Sequence, residues 1–598
     1  MLTYRSLTLP MLTILLCACA SAPRVSQPVP DQPRTSGPTE ILPLDGDQYL
    51  ARARQAEPAR QLPWLLNAAQ AWQNEQRCTD SLKLLQVLSE ERLEQSQSDR
   101  LWLIHAECLL QLDKTELAAK SLAQVSMGAH HLPRRLALSS RLAELQQRPL
   151  DAARDLAEWI SLEPALATEL QSRVWALLQQ VPSRELERVR DSNPYLAPWL
   201  YLARISRLPA GPELTRQLAD WQQRYDLPLP DALEQLKQLD RHQPRKVAVI
   251  LPLSGRLAGQ GEALKEGILA AYFSRLDGSG QTQPSLTFLD SNLVGREELQ
   301  GLELAYDFVI GPLLKENIDA LLSAIPERIP TLVLNRLDEP RKSAGRYFYS
   351  LAPEDEAVQL AEYLAGKGYD RTLVVSSDRQ VFQRMASSFA NQWMKTHDSA
   401  PRQVSFTDNK SMRSAMETLL EVSASNQRIN QVERLAKEEV HAFARNRRDV
   451  DAIVVFANAA QTELLNPIIE SSISPFAKIV PVYASSRSFS QEMGNNSLRD
   501  LRHLTFMDMP WLLPGQESEL KQLSQQLWPQ RNDGQARLFA MGYDAYQLLP
   551  VLHQMALVPM LEKQGLTGSV RMDSHHQLVR QLPMARIEQE RVIRLAQD

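Results

Sequence analysis

Near Pro244 the hydrophobic pattern of the chain changes, and that change limits the possible folds more than any other feature. Before it, from about Asp47 to Leu239, Leu, Ala, Gln, Arg and Glu dominate and glycines are few. Apolar residues there recur at helical spacing: Leu82, Leu85 and Leu88 lie three apart, and Ala152, Leu156 and Ile160 four apart. After it, short β-rich runs alternate with amphipathic helical stretches: Val247 to Leu251, Leu286 to Leu289, Phe308 to Ile310, Thr331 to Leu334, Thr372 to Val375, Ile453 to Phe456 and Ile479 to Tyr483. Strands this continuously apolar need cover on both faces, which predicts parallel sheets between helices. A chain of 598 residues exceeds one core. The alternating part alone, about 350 residues, predicts two α/β lobes.

Within the helical part a loose repeat is visible. Ala69-Gln70-Ala71-Trp72 with Ser81-Leu82 recurs as Ala106-Glu107-Cys108-Leu109 with Ala118-Ala119, and again as Ser140-Arg141-Leu142-Ala143 with Ala152-Ala153. The offsets are near the ~34 residues of a tetratricopeptide unit, and small residues at these positions let paired helices approach closely. Residues 46–242 are therefore predicted to form an all-α tetratricopeptide-like helical solenoid, although no unit keeps the full Trp, Gly, Tyr and Pro consensus. Such arrays present concave faces to other proteins; a spacer without a partner is the alternative. Cys78 and Cys108 are compatible with a disulfide or with two buried free thiols, and their Cα separation decides.

The amino terminus carries an address. Arg5 precedes an apolar run from Leu7 to Ala18, about a dozen residues against the ~20 that a membrane-spanning helix needs. It reads as a signal peptide over 1–18. Leu16-Cys17-Ala18-Cys19 resembles a bacterial lipobox: the Cys19 thiol is the nucleophile that accepts a diacylglycerol, and Ala18 is the small residue required before it. Cys17 follows Leu16 and does not fit. Lipidation is expected at Cys19, followed over 19–45 by a disordered tether rich in Pro, Ser, Gln and Thr. Ala20 stands where Asp would retain a lipoprotein at the inner membrane, so the resemblance implies the periplasmic side of the outer membrane. A net charge of -5 gives no reason to expect nucleic-acid binding.

Motifs after Pro244 are more specific. Lys246-Val-Ala-Val-Ile-Leu-Pro-Leu-Ser-Gly255 with Gly259, Gly261 and Gly267, then Val309-Ile-Gly-Pro312, Pro330-Thr331-Leu332 and Tyr349-Ser-Leu-Ala-Pro-Glu-Asp355, follow one another in order. Asp451-Ala-Ile-Val-Val455, Gly542-Tyr-Asp-Ala-Tyr546 and Gly565-Leu-Thr-Gly568 complete the series. Together they resemble the type I periplasmic binding proteins, which implies a two-lobed α/β fold over 243–598. In receptors of that class, small hydroxyl residues and free backbone N–H groups hold a carboxylate. Ser254 and Gly255 keep that character, whereas Gly311 runs into Leu313 and Leu314, and Asn335-Arg336-Leu337-Asp338 is bulky. These positions, Ser254, Gly255, Gly311, Leu313 and Asn335, are expected to outline a vestigial cleft with no small-molecule ligand.

Lipobox, tether, helical array and binding-protein module as a set resemble the LpoA family of lipoproteins. That resemblance implies a regulator of peptidoglycan synthesis that reaches a class A penicillin-binding protein in the inner membrane and stimulates its transpeptidase activity. The alternative is a ligand-capturing receptor for transport or sensing. No catalytic residue, metal or cofactor is expected. Gly255, Gly259 and Gly261 lack the Gly-Lys-Ser/Thr of a phosphate loop, and no Gly-x-Ser-x-Gly elbow occurs. Ser518 to Lys521 is the one Ser-x-x-Lys, read as an exposed helix face. His130-His131 and His575-His576 lack companion ligands at metal spacing. Arg445, Arg447 and Arg448, the charged run from Glu433 to Glu439, and Met507-Asp-Met-Pro-Trp511 are candidate partner surfaces that a solvated helix or a lobe core explains equally.

Overall fold

The computed structural model describes residues 44–128, 130–181, 183–189, 193–239, 244–274, 283–337, 339, 345–436, 444–474, 477–515 and 518–596. The expectations at Leu16–Cys19, over the tether, and at Asp338 and 437–443 lie outside them. The chain forms two compact units that divide between Arg148 and Pro149.

The first unit is helical. It runs through Gly46–Gln55, Pro58–Asn74, Cys78–Leu88, Gln95–Gln111, Thr115–Leu122 and Leu132–Leu145. Asp45 starts it by accepting a hydrogen bond from the Gln48 N–H at 2.7 Å, which satisfies an otherwise unpaired helix donor. The repeat positions Ala69, Ser81, Ala106, Ala118 and Ser140 are all buried. Ser81 donates its hydroxyl to the Ala69 carbonyl at 2.9 Å, joining the two helices of one pair. Gln76 and Asp113 each take a left-handed conformation in the turn before the second helix of a pair, at φ of 64° and 56°. Without a glycine there, the turn was not legible from composition. Cys78 and Cys108 are free, buried thiols.

The second unit begins with helices as well, Pro149–Leu162, Ala167–Leu178, Ser183–Arg188, Ala197–Ile205, Pro212–Tyr225 and Asp231–Lys237. These helices pack with the α/β part. The buried Gln554 side chain donates to the carbonyls of Ser206 and Leu208 at 3.1 and 2.6 Å and accepts from the Ala210 N–H at 3.2 Å. Gln179 accepts from the Met560 N–H at 3.0 Å. The change of pattern at Pro244 is thus a change of secondary structure inside one packed unit.

The first lobe carries β1 (Lys246–Leu251), β2 (Ser285–Asp290), β3 (Phe308–Ile310), β4 (Thr331–Val333) and β5 (Arg346–Tyr349). The second carries β6 (Thr372–Ser377), β7 (Arg402–Phe406), β8 (Ala452–Phe456), β9 (Val482–Ala484) and β10 (Thr505–Met507). The chain then returns to the first lobe for β11 (Lys563–Gln564), β12 (Ser569–Met572) and β13 (Gln577–Gln581), and crosses again for β14 (Met584–Glu588) and β15 (Arg591–Arg594). The first sheet has the order β11-β12-β13-β5-β4-β3-β1-β2, and the second β15-β14-β10-β9-β8-β6-β7. The five consecutive strands of each lobe are parallel and share one winding order, so each lobe is a doubly wound half.

Two expectations are corrected. The sheets are mixed: β11, β12 and β13 pair antiparallel with one another, as do β10, β14 and β15, although β13 lies parallel to β5. The strand expected from Ile479 begins only at Val482, with Ile479 itself exposed. Pro481 has no N–H to give a ladder, so pairing starts after it.

Helix Asp533–Leu548 belongs to both lobes. Met541, Ala545 and Tyr546 enter the core of the first, while Phe539 and Ala540 enter that of the second. It crosses helix Ala258–Ser274 at Gly267 and Gly542, where any Cβ would overlap the facing backbone of Phe539 or Leu264.

Candidate functional site between the lobes

The turns after β1, β3 and β4 are fixed by local hydrogen bonds. Asn292 donates its amide to the Ser254 carbonyl at 2.9 Å, and the Asp290 carboxylate accepts from the Leu253 N–H at 3.1 Å. Gly255 and Gly311 occupy φ of 73° and 113°. A side chain on Gly311 would also overlap the Ile250 carbonyl, so glycine serves the closure of β1 on β3. Asn335 donates to the Leu313 carbonyl at 2.8 Å, tying the turn after β4 to that after β3.

A hollow of about 1090 Å³ lies between the lobes. Leu313 and Asn335 border it; Ser254, Gly255 and Gly311 do not. It is offset toward the ends of β4 and β5 and away from the β1–β3 switch point, where a doubly wound sheet ordinarily places a ligand. Leu313, Leu334, Leu351, Leu538 and Met541 give it apolar surface. Gln380, Gln383, Arg384, Ser387 and Ser388, one face of helix Gln380–Trp393, give it a polar wall without an acid.

An ion chain crosses the hollow. Arg336, after β4, donates to Asp355 at 2.6 Å and to Glu354 at 3.3 Å, and Arg384 donates its Nε to the other oxygen of Glu354 at 2.6 Å. Both carboxylates sit in the first turn of helix Pro353–Gly366, where the helix dipole favours negative charge. Burial pulls Glu354 upward, yet the hydrogen bond from Arg384 and the charge of Arg336 outweigh it and hold the carboxyl below its ordinary value. For Asp355 burial wins over Arg336, and the carboxyl is raised.

Three buried carboxylates stand behind this surface. Asp544 accepts from the N–H groups of Leu566 and Thr567, both at 2.8 Å, and from the Thr567 hydroxyl at 2.5 Å. The motifs Gly542-Tyr-Asp-Ala-Tyr546 and Gly565-Leu-Thr-Gly568 are therefore one device, in which the acid of the first holds the loop of the second. A side chain on Gly565 would overlap that carboxylate. In the second lobe Arg537 donates to Asp508 at 2.7 Å and to the Ser486 carbonyl at 3.2 Å, while Glu356 accepts from the Ser486 N–H and hydroxyl at 3.0 and 2.9 Å. Burial pushes the Asp508 carboxyl up to about 7, against the opposing charge of Arg537.

The other sequence candidates fall elsewhere. Ser518 caps helix Glu519–Leu527, and Lys521 is buried with its ammonium 3.4 Å from the Leu513 carbonyl, so this tetrapeptide is not an exposed face. Met507, Met509 and Trp511 are core residues of the second lobe, with Trp511 stacked on Phe539. Arg447 is paired with Asp449 at 2.8 Å. Among the described residues no group of three or more His, Cys, Asp or Glu is arranged to hold a metal ion. The polar face of helix Gln380–Trp393 was missed by sequence reasoning; its signal is the spacing of Gln380, Gln383, Arg384, Ser387 and Ser388 opposite Phe382, Met385, Ala386 and Phe389.

The first unit is a tetratricopeptide-like helical array, and in the second the two equally wound lobes around a hollow define a type I binding-protein-like module. The chain belongs to the LppC family, described as putative lipoproteins, which it matches over residues 43–589. It is 28% identical over 604 residues to the penicillin-binding protein activator LpoA of Vibrio cholerae, covering 97% of each chain. It is 31% identical over 364 residues to the Photobacterium profundum protein of the same name, covering 60% of this chain and 58% of that one. Among solved structures it is similar to Haemophilus influenzae LpoA, at a TM-score of 0.65 and 19% identity, covering 94% of this chain and 99% of that one.

Proposed function

We propose that this protein is a regulator of peptidoglycan synthesis, an outer-membrane lipoprotein that binds a class A penicillin-binding protein and stimulates its transpeptidase activity. The observation that carries the reading is the similarity to proteins named penicillin-binding protein activators over 97% of both chains. It spans the helical array and both lobes together. Cys19 anchors the chain by its lipid, and the Pro-rich segment and helices supply reach toward the inner membrane. The chain acts by contact and carries out no reaction itself. Binding shifts the synthase toward a competent conformation, which requires only a higher affinity for that state. The receptor reading draws on shared fold alone, and fold does not carry function.

The test adds the purified full chain to an active class A synthase and measures peptide cross-linking. A rise is expected, and unchanged cross-linking removes the proposal. Separately, Cys19→Ser is expected to release the protein from the outer-membrane fraction.

A further inference from the structure

The two lobes face each other across a second, smaller crevice of about 370 Å³, between the start of helix Ala258–Ser274 and the segment from Leu527 to Arg531. Leu264, Ile268 and Ala271 root that helix in the first core, whereas Leu520 and Trp528 pack against the second. Arg531 closes the crevice. Its Nη2 donates to Glu266, on the helix of the first lobe. Its other partners belong to the second lobe: Nη1 donates to the Ser524 hydroxyl at 3.2 Å, and the guanidinium lies over the rings of Trp528 and Phe539 at 4.2 and 4.6 Å. The Arg531 side chain is 7% exposed, and burial holds its guanidinium below the ordinary value even beside Glu266.

Helix Asp533–Leu548, seated in both cores, is the natural axis for a change of angle between the lobes. Separation along the crevice breaks one contact of Arg531. Glu266 leaves with the first lobe, while Arg531 stays over its two rings as a desolvated charge without its anion. Breaking a buried pair in this way is strongly unfavourable. We propose that the Arg531–Glu266 pair is a latch that holds the two lobes at one angle and so sets the width of the hollow between them. At the hollow itself Arg336 of the first lobe meets Glu354 and Asp355 of the second, a tie at another edge. Glu262 and Lys265, 3.2 Å apart beside the latch, lie on one helix and stay together whatever the lobes do.

The test places spin labels at Ser323→Cys in the first lobe and Ser414→Cys in the second, both exposed positions. The full chain carries Cys17→Ser and Cys19→Ser, which leaves Cys78 and Cys108 as native thiols, 2% and 0% exposed and closed to the label. Double electron–electron resonance reads the distribution of separations. The parent chain is expected to show one separation. Arg531→Gln and Glu266→Gln are each expected to raise the population of a second separation at least about tenfold, at a temperature where circular dichroism shows the variant folded. Glu262→Gln is expected to leave the distribution unchanged. Should Arg531→Gln not fold, Glu266→Gln decides. Two comparably populated separations in the parent, an unchanged distribution in the latch variants, or an equal response to Glu262→Gln overturns the proposal. No arm contains a synthase, so the latch stands or falls apart from the activator reading.

Discussion

The two lobes wind their five consecutive strands in one order, yet each stabilises a fully buried carboxylate by different means. In the first, Asp544 is surrounded by neutral donors, two backbone N–H groups and the hydroxyls of Thr567 and Tyr349. In the second, Asp508 faces the guanidinium of Arg537, which also reaches the Ser486 carbonyl. Equal topology thus leaves open how a buried charge is compensated. Neutral donors tie a loop to a helix at fixed geometry. Burial raises both carboxyls, with Arg537 only partly opposing it at Asp508, so each acid links lobe stability to pH.

The largest effect is expected where the lobes share an element. Gly267→Val forces helix Ala258–Ser274 away from helix Asp533–Leu548 and should cost ~4 kcal/mol or more, read as loss of soluble protein or of the urea midpoint. Because Asp533–Leu548 feeds both cores, amide protection should fall in both lobes; protection retained in the second alone would break the idea of a shared helix. Asp544→Ala strips several buried donors of their acceptor and should cost about 3 kcal/mol, with faster exchange at Leu566 and Thr567. Arg537→Met should cost about 3 kcal/mol above pH 7 by leaving Asp508 buried and unpaired, and the double variant with Asp508→Leu should recover most of it. A double variant as unstable as the single one would show that the pair is not the relevant unit.

The same pair predicts a pH dependence of definite sign. The Asp508 carboxyl titrates near 7 when folded and near its ordinary 3.8 when unfolded, so the folded chain holds the extra proton between these values. Its contribution is present in full below about pH 4 and is lost as pH rises through about 7. Thermal midpoints of Asp508→Asn should lose the decline centred near pH 7, while the burial-raised carboxyl of Asp544 keeps its own pH dependence in that variant. The smallest effect lies in the first unit: Asp113→Gly relieves a left-handed turn at φ 56°, for a gain of no more than about 1 kcal/mol, read as a small rise in thermal midpoint.

Much of the module was legible because its strands are short, apolar and bounded by turn residues. The runs at Val247, Phe308, Thr372 and Ile453 coincide with β1, β3, β6 and β8, all deeply buried. The antiparallel additions β12 to β15 were not, since none is buried along its whole length and each carries Arg, a pattern shared with exposed loops. The site was legible only in part. Leu313 and Asn335 border the hollow as their place after β3 and β4 implied, whereas Ser254 and Gly255 turn away into contacts around Asp290 and Asn292.

Local order in this chain followed from the sequence by itself. Periodicity and small residues specify paired helices, continuous apolar runs specify parallel strands, and the ordered glycine motifs specify two wound lobes. Tertiary structure alone decided which of these share a core. Gln554 binds the later helices to the α/β part through backbone groups that carry no sequence signal. Asp544 and Thr567 meet across a chain reversal, and Arg336 meets Glu354 and Asp355 only once β4 and the next helix are in place. Such pairings depend on long-range closure, which neighbouring residues along the chain do not encode.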